Sequence, residues 1–151
     1  MNETSFRRVL SLTGFSNKKK LFEKIAEVLS DEDVSLHKVL DGLNAREKMG
    51  STCIGKGVAI PHCKLDIESP RAVLIILDQK MSYSEHSEAD VDIILGLLVP
   101  IEKCDDHIHL LSSIAKLCEN DDWLDKLRHL DSDEAIINHI AATGTNLETL
   151  L

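Results

Sequence analysis

The sequence predicts an α/β layered domain, and three observations carry that prediction. Two continuous apolar runs, "AVLIIL" (72–77) and "VDIILGLLV" (91–99), are short, β-branched and bounded by turn-forming or charged residues, as strands buried on both faces are. Segments of helical period stand before, between and after the buried strands, which calls for a sheet covered by helices on both faces. At 151 residues, with no internal repeat, low-complexity tract or Pro/Gly-rich linker, the chain is about one domain long.

In chain order, "NKKKLFEKIAEVLS" (17–30) spaces Leu21, Phe22, Ile25, Val28 and Leu29 helically, with Asn17 as N-cap. A second helix is expected from about Ser35 to Lys48, its apolar face including Val39, Leu40 and Leu43. A glycine-bearing stretch then ends in the strand-like Val58-Ala59-Ile60. Between the two long strands, the polar "DQKMSYSEHSEAD" reads as a loop with a short edge strand at Met81–Tyr83. In "DDHIHLLSSIAKLCEN", Asp105 or Asp106 serves as N-cap, and Ile108, Leu111, Ala115 and Cys118 share a face. Shorter helices follow around 121–130 and 132–141, and the tail "TGTNLETLL" is expected to be loosely packed, leaving a core of about 5–142.

Composition narrows the function. Apolar residues make up 43% and charged residues 28%, as in ordinary globular chains. No apolar run reaches the ~18 residues of a membrane span. The start, "MNETSFRRVL", lacks the charged-then-apolar pattern of a signal peptide, so a cytoplasmic protein without membrane insertion is expected. A net charge of −9 disfavours nucleic acid, whose binding draws on Lys and Arg, and suits a basic protein partner met by electrostatic steering. The basic run Lys18-Lys19-Lys20 reads as a solvated helix end. Cys53, Cys63, Cys104 and Cys118 form no C-x-x-C and read as reduced, unpaired thiols.

The chemistry concentrates in "GSTCIGKGVAIPHCK" (50–64). Its first half approaches the phosphate-binding pattern G-x-x-x-x-G-K-[ST], but Gly57 replaces the hydroxyl residue and a helix end precedes it. Pro61 also follows where a helix would have to run, so a nucleotide loop is rejected. Its second half is the better case. Pro61 stiffens the segment, Gly55 and Gly57 allow tight turning and close approach, and His62 is delivered at its end. A mostly neutral imidazole there offers one ring nitrogen as a nucleophile, all the more if a backbone carbonyl holds the other N–H.

A second histidine pair supports this reading. In "DDHIH" only one of His107 and His109 can face His62, since residues two apart on a helix diverge. His107, in the first turn, sits where a helix start favours an anion, so it could help hold a phosphoryl group on His62; His109 reads as structural. Arg46, Ser51 and Thr52 bring a guanidinium and two hydroxyls just upstream. The competing chemistry is a metal site of His62, Cys63, His107 and His109, which lacks the usual ligand spacing. His37, His86, His129 and His139 read as surface residues, and Trp123 as a core or interface aromatic.

The segment "REKMGSTCIGKGVAIPHCKL" (46–65) closely resembles the phosphorylation site of the enzyme IIA proteins of the bacterial sugar phosphotransferase system, fructose/mannitol class, and most closely its nitrogen-regulatory branch. The similarity continues through "RAVLIIL", "VDIILGLLVP" and "HIHLLSSIAKL". It implies a three-layer α/β/α sandwich around a mixed sheet, with no cofactor and no metal. It further implies that Nε2 of His62 accepts a phosphoryl group from an HPr-like, nitrogen-type phosphocarrier. His107 would support that group, and Arg46, Ser51 and Thr52 would line the pocket. The phosphohistidine would be a covalent intermediate of a phosphotransferase-system component rather than of a free-standing turnover enzyme. The phosphorylation state would then regulate target proteins such as transporters or kinases; the alternative is a sugar-uptake component passing phosphate to a B domain. Two departures stand out. Cys63 replaces the family's usual Gly after the histidine, where a side chain could narrow a partner's approach. Tyr83-Ser84 also stands where an aromatic-Asp pair is usual. A binding module that is never phosphorylated, hinted at by Cys63 alone, and a metal-dependent hydrolase remain as competing classes.

Overall fold

The computed structural model describes residues 9–14, 17–83, 90–145, 147 and 151, and for 103–108 the backbone alone. Its elements run β1 (Val9–Leu12), α1 (Lys18–Leu29), α2 (Leu36–Lys48), β2 (Cys53–Gly55), β3 (Val58–Ala59), β4 (His62–Leu65), β5 (Arg71–Ser82), β6 (Asp90–Pro100), α3 (Cys104–Leu117), α4 (Asp121–His129) and α5 (Asp133–Ala141). The caps explain several of these bounds. Asn17 accepts from the amides of Lys19 and Lys20, Ser35 from Lys38, Asn120 from Trp123 and Ser132 from Ala135. The exception is α3, which grows from a 3₁₀ turn at Ile101–Lys103, so Asp105 and Asp106 lie inside the helix rather than capping it.

The strands form one mixed six-stranded sheet in the order β1-β5-β6-β3-β2, with β4 also on β6. Side-chain alternation along β5 and β6 sorts the core into two layers. Val73, Ile75, Ile94 and Leu98 pack under Leu21, Ile25, Leu29 and Leu43 of α1 and α2. Leu74, Ile76, Ile93, Leu95 and Leu97 pack on the other face with Ile114, Leu124, Leu127, Ile136 and Ile140 of α3 to α5. This is the three-layer α/β/α sandwich. Leu147 and Leu151 are also buried in the second layer, so these tail residues are packed where loose packing was expected. Among the described residues no helix is long and apolar enough to cross a membrane.

One stretch corrects the expectation of a loop. Residues 78–82 continue β5, and Met81 and Ser82 pair with Val91 and Asp90 of β6, so the expected short strand is the end of a long one. The segment reads as polar because the register slips between Ile76 and Met81, leaving Asp78, Gln79 and Lys80 exposed. Residues 84–89 of the expected loop lie outside the described residues.

The edge that carries the histidine has a simple construction. Val58 and Ala59 pair with Ile93 and Ile94, while His62 and Cys63 pair with Leu97 and Leu98. The offset is 35 in both pieces (93 − 58 and 97 − 62), so β3 and β4 are one strand interrupted at Ile60-Pro61 without losing register. Pro61 has no N–H to give, but its carbonyl accepts from Leu97 at 3.0 Å and the ladder resumes.

Above this edge α2 lies close enough that only glycine fits at position 42. A Cβ there would stand 2.8 Å from Cys63 Sγ. Helix propensity alone favours Gly42→Ala by ~1 kcal/mol, whereas overpacking of this kind costs ~1–3 kcal/mol. Urea unfolding is therefore expected to find Gly42→Ala neutral or destabilising by itself, but stabilising in a Cys63→Gly background. The same sign in both backgrounds would contradict the packing.

Candidate functional site

The site begins where α2 ends. Arg46 turns back and its Nη1 donates to the carbonyl of Gly50 at 2.9 Å, holding the first bend of the loop. Ser51 Oγ accepts from the amide of Cys53 at 3.2 Å, an ordinary local turn. Thr52 is different: it is 5% exposed and its hydroxyl donates to Glu47 Oε1 at 2.6 Å. Thr52 Oγ1 also lies 2.6 Å from the hydroxyl of Tyr83, whose proton completes the contact. Thr52 therefore sits beneath the loop, not on its surface.

Glu47 is the centre of this arrangement. Besides the Thr52 hydroxyl, its carboxylate accepts the Thr52 amide at 3.2 Å and Lys18 Nζ at 2.9 Å, and its Oε1 lies 3.3 Å from the Tyr83 hydroxyl, whose one proton is shared with Thr52 Oγ1. Burial works against its charge, but the bonds from Thr52 and Lys18 outweigh that and hold the carboxyl below its ordinary range. Burial, only partly offset by the Thr52 bond, pushes the Tyr83 phenol well above its ordinary value, so it stays a donor. Lys18 also lies 4.2 Å from the centre of the Tyr83 ring. It is a structural cation, not the solvated helix end expected of the basic run.

From this knot the loop reaches His62 in two backbone steps. The Thr52 carbonyl accepts from the Ile60 amide at 3.0 Å, and the Ile60 carbonyl lies 2.8 Å from His62 Nδ1. Facing a carbonyl, Nδ1 must carry the proton, which leaves the lone pair of a neutral ring on Nε2. The ring is half-buried. Because Cys63 and Leu65 pack into the α1/α2 layer, the pleat directs His62 to the opposite side, the layer of α3.

The remaining sequence candidates distribute as follows. His107 is the fourth residue of α3, and its side chain, like that of Cys104, lies outside the described residues. His109 is exposed. Cys63 is 6% exposed and faces Gly42, with burial pushing its thiol up to about 11. It therefore neither narrows the surface around His62 nor shares a ligand set with it, which takes Cys63 out of the imagined metal site. His37 and His129 are exposed as expected, and His86 lies outside the described residues. His139 instead is half-buried and stacks on Trp123 with centroids 4.9 Å apart.

Gly55-Lys56-Gly57 is the turn joining antiparallel β2 and β3, with φ of +93°, +57° and +81°, and opens no helix. Lys56, which has no role in the sequence reading, bonds the Glu119 carbonyl at 2.8 Å and Asp121 at 2.7 Å. Arg128 pairs with Asp92 at 2.9 and 3.1 Å and also donates to the Lys56 carbonyl. A Cβ on Gly57 would sit 2.6 Å from Arg128 Nη2, so glycine is required for α4 to grip this turn. Sequence reasoning missed Glu47 and Tyr83 as well. The only local signal for Glu47 was its place beside Arg46 in the quoted motif.

Residues 7–143 match the family described as phosphoenolpyruvate-dependent sugar phosphotransferase system, EIIA 2. The chain belongs to this family. It is 35% identical over 136 residues to a nitrogen regulatory protein of Pseudomonas aeruginosa, covering 88% of each chain. The crystal structure of nitrogen regulatory protein IIA-Ntr from Neisseria meningitidis superposes with a TM-score of 0.79 at 30% identity, over 84% of this chain and 89% of that one. The mannitol enzyme IIA of Escherichia coli, solved in complex with phosphorylated enzyme IIB, shares the fold with a TM-score of 0.76 at 14% identity, over 93% and 98% of the two chains.

The Glu47 knot makes a pH prediction for this EIIA protein. Since the folded-state pKa of Glu47 is lowered, its contribution to stability is present above the unfolded value, near 4.5, and is lost as pH falls through the folded one. Chemical denaturation at pH 7 and pH 4 is expected to show a steeper acid loss for the wild type than for Glu47→Gln. Thr52→Val, which takes the 2.6 Å hydroxyl bond from the Glu47 carboxylate and leaves the Tyr83 hydroxyl without its nearest partner, should cost ~1–3 kcal/mol at pH 7. Equal acid slopes would remove Glu47 from this role.

Proposed function

We propose that this EIIA-family chain, read as one domain over 1–151, is a phosphoryl-accepting regulator. His62 takes its phosphoryl group from an HPr-like, nitrogen-type phosphocarrier in the cytoplasm. The observation that carries the reading is the 2.8 Å contact of His62 Nδ1 with the Ile60 carbonyl, which reserves Nε2 for the reaction. The Nε2 lone pair attacks phosphorus as the bond to the carrier's histidine breaks, its electron pair remaining on that histidine. No proton leaves His62; Nδ1–H stays on the Ile60 carbonyl and stabilises the charge that the ring acquires. His107, in the first turn of α3, supports the phosphoryl oxygens together with that helix end. Arg46 uses one of its five N–H donors on Gly50 and has others to offer, Ser51 stands at the loop surface, and Thr52 supports from below.

The regulatory reading is favoured over transport by the relatives, which are nitrogen regulatory proteins across most of their length. Targets such as transporters or kinases would distinguish the two forms by the negative charge added at the contact surface. The second reading, transfer onward to a B domain, draws support from the fold shared with the mannitol IIA of the IIA–IIB complex.

Incubation with the phosphorylated carrier is expected to give an acid-labile, base-stable label, near one per chain, that His62→Ala abolishes. Label surviving that substitution would refute the proposal. His107→Ala is expected to slow transfer on the order of 10²-fold, the usual effect of removing one stabilising donor. Adding candidate B domains then distinguishes the readings: label retained supports regulation, and label passed on supports transport.

A further inference from the structure

A groove of about 460 Å³ runs between α1 and α2, on the layer opposite His62. Its walls are mostly carbon and include Phe22 and Leu40, with Lys18, Lys19 and Lys48 around them. Three lysines thus line one groove of a chain whose net charge is −9. The carboxylate in the lining, Glu47, is 11% exposed and is taken up by Lys18 and Thr52, so it offsets Lys18 and leaves the charge of Lys19 and Lys48 to the groove. With no acidic residue in its first turn, α1 adds the positive end of its dipole to the same region.

We propose that this groove docks an acidic, amphipathic segment of a partner protein. An apolar side chain of the segment would cover Phe22 and Leu40, and its carboxylates would meet Lys19 and Lys48. Charge complementarity selects such a segment over a basic one. The carbon walls select a peptide over a free anion, which would leave them uncovered, and the volume suits a few side chains.

The groove is joined to the acceptor loop by an unbroken series of contacts. Lys18 bonds Glu47 at 2.9 Å and Glu47 bonds the Thr52 hydroxyl at 2.6 Å. The Thr52 carbonyl bonds the Ile60 amide at 3.0 Å, and the Ile60 carbonyl holds His62 Nδ1 at 2.8 Å. A docked carboxylate that draws Lys18 away loosens the hold of Glu47 on Thr52. Occupancy and phosphorylation then bias each other, by linkage in equal measure. This coupling rests on the proposed phosphorylation of His62; the docking does not.

The probe is a fluorescein-labelled nine-residue peptide of repeated Glu-Glu-Leu, followed by anisotropy, with free glutamate as competitor. Binding is expected to be displaced poorly by glutamate, and to weaken at least tenfold in Lys19→Glu/Lys48→Glu. Both lysines are exposed; Lys19→Glu places a carboxylate at the positive end of α1 while Lys48→Glu places one at the negative end of α2, so the two effects oppose each other and the melting temperature of the variant should change little. Undiminished binding to that variant, or amide shifts that map away from α1 and α2, would overturn the docking proposal. A peptide affinity that differs at least threefold between unmodified and phosphorylated protein supports the coupling, and equal affinities overturn it. A chain that takes no label refutes the phosphorylation while leaving the titration of the unmodified protein, and hence the docking test, intact.

Discussion

The offset of 35 residues between β6 and both halves of its interrupted neighbour is the constraint on which the site depends. A proline in a sheet ordinarily ends a ladder, because it cannot donate and it restricts the residue before it. Here the break is two residues long and the pleat stays in phase. His62 therefore falls on the α3 side, and Cys63 on the α2 side, with no freedom to exchange. A slip of one residue would bury the imidazole against Gly42 and present the thiol instead. The identity of position 63 is thus a matter for the packing of α2, and the identity of position 62 is a matter for chemistry.

Register alone does not hold a ring in one tautomer. That needs the Ile60 carbonyl to stay in place, and Ile60 is positioned from both sides. Its side chain is 4% exposed in the α3–α5 core, and its amide is bonded to Thr52. Thr52 in turn hangs on Glu47, a nearly buried carboxylate. A buried ion pair is weak evidence for stability, since desolvation offsets much of the attraction, but removing one partner leaves a stranded charge at a cost of ~3–5 kcal/mol. The Glu47–Lys18–Thr52–Tyr83 group is better understood as a device of position. It ties α1, α2, the loop and the end of β5 to one point.

The layers were legible because they follow from local periodicity: the two apolar runs are strands, and Asn17 and Ser35 cap the helices expected after them. His62 was legible because proline and glycine announce a stiff, approachable segment. What escaped was non-local or turned on direction. Tyr83 and Glu47 are 36 positions apart, and nothing in either neighbourhood announces that the two side chains meet. Arg128 and Asp92 are likewise 36 apart. Lys18 reads as a helix-end cation until Tyr83 and Glu47 are set beside it. Cys63 reads as an obstruction until the pleat turns it inward. The polar stretch after Leu77 reads as loop because a bulge lets three strand residues face water, which breaks the alternation on which strand recognition relies.

These features bear on how the chain would report the phosphoryl group proposed for His62. A phosphoryl group on His62 would add negative charge to a protein already at −9, so the change in overall field would be modest. Its local field is screened within ~8 Å at physiological ionic strength. A partner can therefore read the modification in two ways: by touching the loop itself, or by touching a surface to which the loop is mechanically tied. The layer of α3 offers the first. The second requires bonded groups rather than a field, and the Ile60, Thr52 and Glu47 contacts cross the sheet edge from one helical layer to the other. A domain with a single acceptor atom can in this way present two faces that differ with its state, without any rearrangement of its core.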